Sequence, residues 1–150
     1  MLKNIKTATF VISSNTYPAV RNMRMQKKLF ADQLSKNREF YWYRQGTEKQ
    51  LLGKESNLIG NDLFLNINDD TLSMGKKTIM AFDWALNNIE FDFLIRPTPS
   101  SYVNYSNLEN YIRTNFLDMD IVYGGKIQET NNKFGQKIQF ASGSTLVLSK

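Results

Sequence analysis

The 150-residue chain contains no cysteine and no histidine. Without cysteine there is no disulfide framework, no thiolate metal site and no thiol nucleophile. Without histidine the commonest general base is gone, together with the Ser-His-Asp triad and imidazole metal ligation. Any catalysis would rest on carboxylates, Lys, Tyr or a metal held by oxygens. Long apolar runs are missing as well: none approaches the roughly 18 residues of a membrane-spanning helix. The opening "MLKNIKTATF" lacks a signal-peptide apolar core, so no membrane partner and a cytoplasmic location are expected. The phosphate-cradling patterns GxGxxG and GxxxxGK[ST] do not occur. "MGKKT" (Met74 to Thr78) has no upstream glycine and falls in the first turns of a helical pattern.

The residues that are present describe a globular domain. Apolar residues make up 41%, charged residues 22% and aromatics 13%, a composition that favours collapse over disorder. The length suits one domain, residues 1–150. The net charge of +5 permits an anionic partner. Acidic residues are interspersed, however, so nucleic acid is not the expected ligand.

Patterning predicts strands at "TATFVISS", "EFYWYRQ", "DLFLNI", "FDFLI", "DIVYGGKI" and "KIQFAS". Three main helices are expected between them. One runs from about Pro18 to Leu34, with Val20, Met23, Lys27, Phe30 and Leu34 inward. One follows Thr71, with Ile79, Phe82, Leu86 and Ile89 inward. One follows Ser106, with Leu108, Tyr111, Ile112 and Phe116 inward. "GTEKQLLGKESNLIGN" (Gly46 to Asn61) reads as loop, and "GSTLVLSK" begins an element that the chain does not finish. Alternation at β-α-β spacing predicts an α/β fold: a mixed, mostly parallel, Rossmann-like sheet of about six strands flanked by helices.

In such sheets ligands sit beyond the carboxyl ends of the strands. Those ends are Ser13, Ser14 and Asn15; Asn66 to Asp70; Arg96 to Ser101; and Gly124-Gly125. They are small, polar and partly basic, as a nucleotide or sugar site would be, although loops are polar for other reasons too. Asp69-Asp70 and Asp118/Asp120 could hold Mg²⁺ or Mn²⁺, or could equally be caps and turns.

From Asp62 onward the order of features resembles the GT-A-fold glycosyltransferases of the β-1,3-galactosyltransferase and Fringe type. In that family a strand opened by Asp leads through an acidic turn into a Lys-Thr-containing helix that ends in Trp. A further strand then runs into the metal-binding DxD motif. Asp62, Asp69, Lys77-Thr78 and Trp84 occupy those places here. "YVNYSNLENYI" is similar to the family's F-V-N-x-x-x-L-x-x-Y-L, and "FASGSTLVLS" to its Y-x-S-G-G-G-Y-V-L-S.

The resemblance implies a nucleotide-sugar donor, most often a UDP-sugar, bound by Ser13, Ser14, Arg24, Asp62, Lys77, Arg96, Ser100, Ser101, Asn104 and Gly143. The departures matter as much. "RPTPSS" stands where DxD should hold Mn²⁺ or Mg²⁺, so no metal site and no certain cofactor are expected. Arg96 can pair with phosphate in the metal's place, or can mark a lost activity. The family's acidic base lies downstream of the V-L-S segment, and this chain ends at Lys150. The expectation is therefore a donor-binding half, incomplete at its C-terminus and without an identified catalytic base. The alternative is a non-catalytic binding or assembly module with a mildly basic surface. An open sheet edge or apolar patch near Lys150 would then support a homodimer.

Overall fold

A computed structural model describes residues 4–131 and 134–150, apart from the side chains of 140–144. In chain order the elements are β1 (Thr7–Ile12), α1 (Ala19–Ala31), β2 (Arg38–Gln45), α2 (Glu48–Leu51), β3 (Ser56–Ile59) and β4 (Asp62–Leu65). They continue with α3 (Met74–Asn88), β5 (Phe93–Pro97), α4 (Tyr105–Asn115), β6 (Tyr123–Asn131) and β7 (Lys137–Ser149). One mixed sheet holds all seven described strands in the order β3-β4-β2-β1-β5-β7-β6.

The fold class is the expected α/β, but the sheet is not mostly parallel. Three ladders are parallel (β1 with β2, β1 with β5, β2 with β4) and three are antiparallel (β3 with β4, β5 with β7, β6 with β7). The strand number also exceeds the expected six, because the supposed loop supplies β3. Ser56–Ile59 folds back on β4 through Gly60, whose φ of 60° favours glycine. The "KIQFAS" and "GSTLVLSK" segments form one long strand, β7. The supposed loop also contains α2, a single turn closed by a reciprocal Thr47–Gln50 capping box.

Two apolar layers sandwich the sheet. On one face Val11, Phe40, Trp42, Phe93 and Ile95 pack with Met23 and Phe30 of α1 and with Tyr105 and Ile112 of α4. On the other, Phe10, Tyr41, Tyr43, Leu63 and Leu94 pack with Ala81 and Ala85 of α3. Here the expected helix stripe is corrected. Ile79 and Leu86 point to solvent, and Lys77, Ala81 and Ala85 point inward. The strands already supply the volume through Phe10, Tyr41 and Tyr43, so the helix can approach only with small side chains.

A similar rotation affects the other helices. Gln26 is buried on α1 while Leu34 lies exposed past its end. Glu109 is buried on α4 while Tyr111 is exposed. Glu109 tolerates burial because Arg38 forks onto it, with Nε–Oε1 2.7 Å and Nη2–Oε2 2.8 Å, and Thr7 Oγ1 donates to it at 2.9 Å. Among the described residues, no helix is long and apolar enough to cross a membrane.

Candidate functional site at the strand carboxyl ends

The parallel strands β1, β2, β4 and β5 end on one side of the sheet, and Asp69 ties three of these ends together. Its Oδ2 accepts the N–H of Asn15 (3.0 Å). Its Oδ1 accepts the N–H of Gln45 (3.1 Å) and the Lys77 ammonium (2.6 Å). Lys77, only 3% exposed, also donates to the Ser13 carbonyl at 3.1 Å. Asn15 in turn bridges β2, donating to the Gln45 carbonyl (3.0 Å) and accepting from Arg44 (3.2 Å). The buried cation is therefore paired and hydrogen-bonded, the condition under which burial of charge is tolerated.

Arg96 lies at the carboxyl end of β5, on the α3 face of the sheet, with 8% of its surface exposed. Its Nε donates to the Tyr43 hydroxyl at 3.3 Å, and that hydroxyl lies 2.9 Å from Thr78 Oγ1 on the first turns of α3. Burial pushes the Tyr43 phenol above its ordinary range, while the Arg96 guanidinium and the Thr78 hydroxyl pull it back down. Neither α1 nor α3, the two long helices that start at this end beside β1 and β4, carries an acidic residue in its first turn, although Asp70 Oδ1 accepts the Ser73 N–H at 2.6 Å and caps α3. The positive end of the α1 dipole therefore faces the same end of the sheet as Arg96 without a carboxylate on it, while that of α3 is met by Asp70.

The predicted site residues divide into three groups. Ser14, Arg96, Ser100 and Ser101 all lie at this end of the sheet, at or just past the ends of β1 and β5. Ser14 bonds Thr16 (2.9 Å), and Ser101 and Ser100 lie 2.7 Å and 3.4 Å from the Thr98 hydroxyl. Ser13, Lys77 and Asn104 are also at this end but serve the scaffold. Ser13 donates its N–H to the Tyr43 carbonyl, Lys77 is held by Asp69, and Asn104 caps α4 by accepting from Asn107 N–H at 3.0 Å. Asp62 and Arg24 lie apart. Asp62 opens β4 on the opposite face, held by Lys27 at 2.5 Å and Arg44 at 3.6 Å, and Arg24 is exposed on α1. Gly143 belongs to β7, and its surroundings lie outside the described residues.

Asp118 and Asp120 fall in the connection before β6, level with the amino end of β5 and so opposite the candidate site. Among the described residues, no three acidic side chains converge as a metal-holding group.

Sequence reasoning missed Tyr43 and Gln26 as parts of this end. Gln26 donates from α1 to the carbonyls of Thr98 (3.1 Å) and Ser101 (3.2 Å), fixing the loop after Arg96. A polar residue on the apolar stripe of α1 was the available signal. Tyr43 gave none, because its strand is aromatic throughout. No protein-family model matches the chain, and no curated protein matches it.

Proposed function

We propose that the chain is a glycosyltransferase-related domain that binds a nucleotide-sugar donor at the carboxyl ends of its parallel strands. Arg96 takes the charge-neutralising place of metal and carboxylates. The observation that carries this reading is the position of Arg96: a buried guanidinium at the end of β5, braced by Tyr43, at the same end of the sheet as the starts of α1 and α3. A diphosphate is the ligand chemistry that suits a guanidinium and the uncapped start of α1 together. The ordered resemblance from Asp62 to Ser149 supports the sugar-nucleotide class.

Thermal shift and calorimetry against UDP- and GDP-sugars, with Mn²⁺ and with EDTA, test the proposal. Stabilisation that survives EDTA and disappears in Arg96→Lys, which keeps the charge but not the planar fork, is expected. A folded wild type that ignores every nucleotide refutes the ligand. A dependence on Mn²⁺ refutes the role given to Arg96.

A second reading, donor binding without transfer, is favoured by Asp69. Three donors already occupy this carboxylate, which leaves it poorly placed to serve as a general base. Donor hydrolysis or transfer by the folded chain would exclude that reading.

A further inference from the structure

Asp62, which the rim does not use, borders a cavity of its own. The cavity, of about 270 Å³, lies on the α1 face of the sheet, between the end of α1 and the turn from β3 to β4. Phe30 and Phe40 form its inner wall, and Leu34 and Ile59, 62% and 50% exposed, stand at its mouth. Asp62 lies directly across the parallel β2–β4 ladder from Trp42, and both residues line the cavity. Among the described residues, two buried polar atoms here go unmet. The indole N–H of Trp42, a residue 4% exposed, finds no acceptor. Asp62 Oδ1 finds no hydrogen-bond donor, with Arg44 Nη2 3.6 Å away. Buried donors and acceptors are normally satisfied, and each one left alone costs free energy. Lys27 reaches over both residues. Its ammonium is 2.5 Å from Asp62 Oδ2 and 5.0 Å from the centre of the Trp42 ring, and its side chain is 33% exposed.

We propose that this cavity binds a small neutral ring compound carrying a hydroxyl group, a phenol or a cyclic alcohol. One hydroxyl can accept the Trp42 N–H and donate to Asp62 Oδ1, so it meets both atoms at once. The apolar walls take the ring. A dry cavity of about 150 Å³ holds benzene, so the volume here fits one ring with its substituents. Charge selects against ions. An anion reaching the indole meets the Asp62 carboxylate, and a cation must displace Lys27 from it. Neither unmet atom touches solvent, so the hydroxyl enters as the partly exposed Lys27 side chain swings off the indole. The cavity lies toward the amino ends of β2 and β4, away from Arg96, so it stands or falls separately from the donor site.

The indole N–H is itself the probe. The chain has two tryptophans, and Trp84 lies on the other face of the sheet against Phe10 and Tyr41. In ¹H–¹⁵N spectra of the folded chain, phenol and cyclohexanol are expected to move the Trp42 indole signal saturably and to leave that of Trp84 in place. Trp84→Phe assigns the two signals. Anisole, which can accept but not donate, and toluene, which can do neither, are expected to bind at least about tenfold more weakly than phenol. Benzoate should not bind. In Asp62→Leu, phenol should lose its advantage over anisole, a ratio read within one folded variant. Absence of a saturable shift with either alcohol would leave the two atoms to bound water and overturn the proposal. Anisole, toluene or benzoate binding as tightly as phenol, or a phenol preference that survives Asp62→Leu, overturns it as well.

Discussion

The parallel block β4-β2-β1-β5 and the antiparallel wing β7-β6 belong to one sheet but are held by different means. In the block both faces are covered, β1 is buried along its whole length, and charged pairs lock the two ends: Arg38–Glu109 at one and Lys77–Asp69 at the other. In the wing β6 is exposed almost throughout, and β7 joins the block through five paired residues, Thr145 to Ser149 against Pro97 to Phe93. A strand covered on both faces draws its stability from burial, and an edge strand draws its from its single neighbour. Polar chemistry follows the same division. The block fixes its side chains by multiple bonds, and the wing presents apolar side chains to solvent.

The most severe test of this contrast is Glu109→Ala. It leaves Arg38 buried without its carboxylate and is expected to cost about 3–5 kcal/mol in urea unfolding. A loss below about 1 kcal/mol would make the pair no better than a surface one. Asp69→Asn comes next, at about 2–3 kcal/mol, because it weakens hydrogen bonds to a charged group and leaves the Lys77 ammonium poorly compensated. Gly46→Ala follows at about 1–3 kcal/mol. An added Cβ would lie 2.8 Å from Leu51 Cγ and 2.9 Å from Phe64 Cβ, so the β2–α2 junction must shift.

Alkaline pH probes the block selectively. Burial raises the phenols of Tyr41, Tyr43 and Tyr105 above the ordinary value. In the unfolded chain they lose their protons near pH 10. Their contribution is therefore complete below about pH 10 and is lost as pH rises beyond it, since the unfolded state then binds fewer protons. Unfolding midpoints should fall steeply above pH 10, and Tyr43→Phe should flatten that slope. The smallest effect is expected in the wing: Ile127→Ser should change stability by no more than about 0.5 kcal/mol. A larger loss would mean that β6 contributes to the monomer core after all.

The same division explains how much could be read from the sequence. The strands of the block were legible because burial on both faces writes continuous apolar runs such as Phe10-Val11-Ile12. The α/β class followed from their spacing. The wing was misjudged because Lys137 to Ser149 alternates weakly and contains Gly143, so one strand looked like two. Helix orientation failed where bulk on the strands replaced bulk on the helix, as at Ala81 and Ala85. Of the rim, Arg96 and the serines were visible as a cation and small polar residues after an apolar run. Asp69 was visible as an acidic turn or a possible metal ligand, not as the tie between strand ends. Its real partners, Asn15 and Gln45, lie just past β1 and at the end of β2, and no local pattern encodes a carboxylate that accepts backbone N–H groups from elsewhere.

The seam between β5 and β7 has a consequence for motion. Opening it and the contacts of Val122, Val147 and Leu148 with the two apolar layers would release β6 and β7 while leaving the block and its rim intact. The wing is then a separate cooperative unit whose amide hydrogens exchange by partial opening, at a free energy below that of global unfolding. The amides of β1, at the centre of the sheet, would be the last to exchange. Any event that covers the edge of β6 should slow exchange in the wing first, which makes that protection a reporter of assembly independent of size measurements.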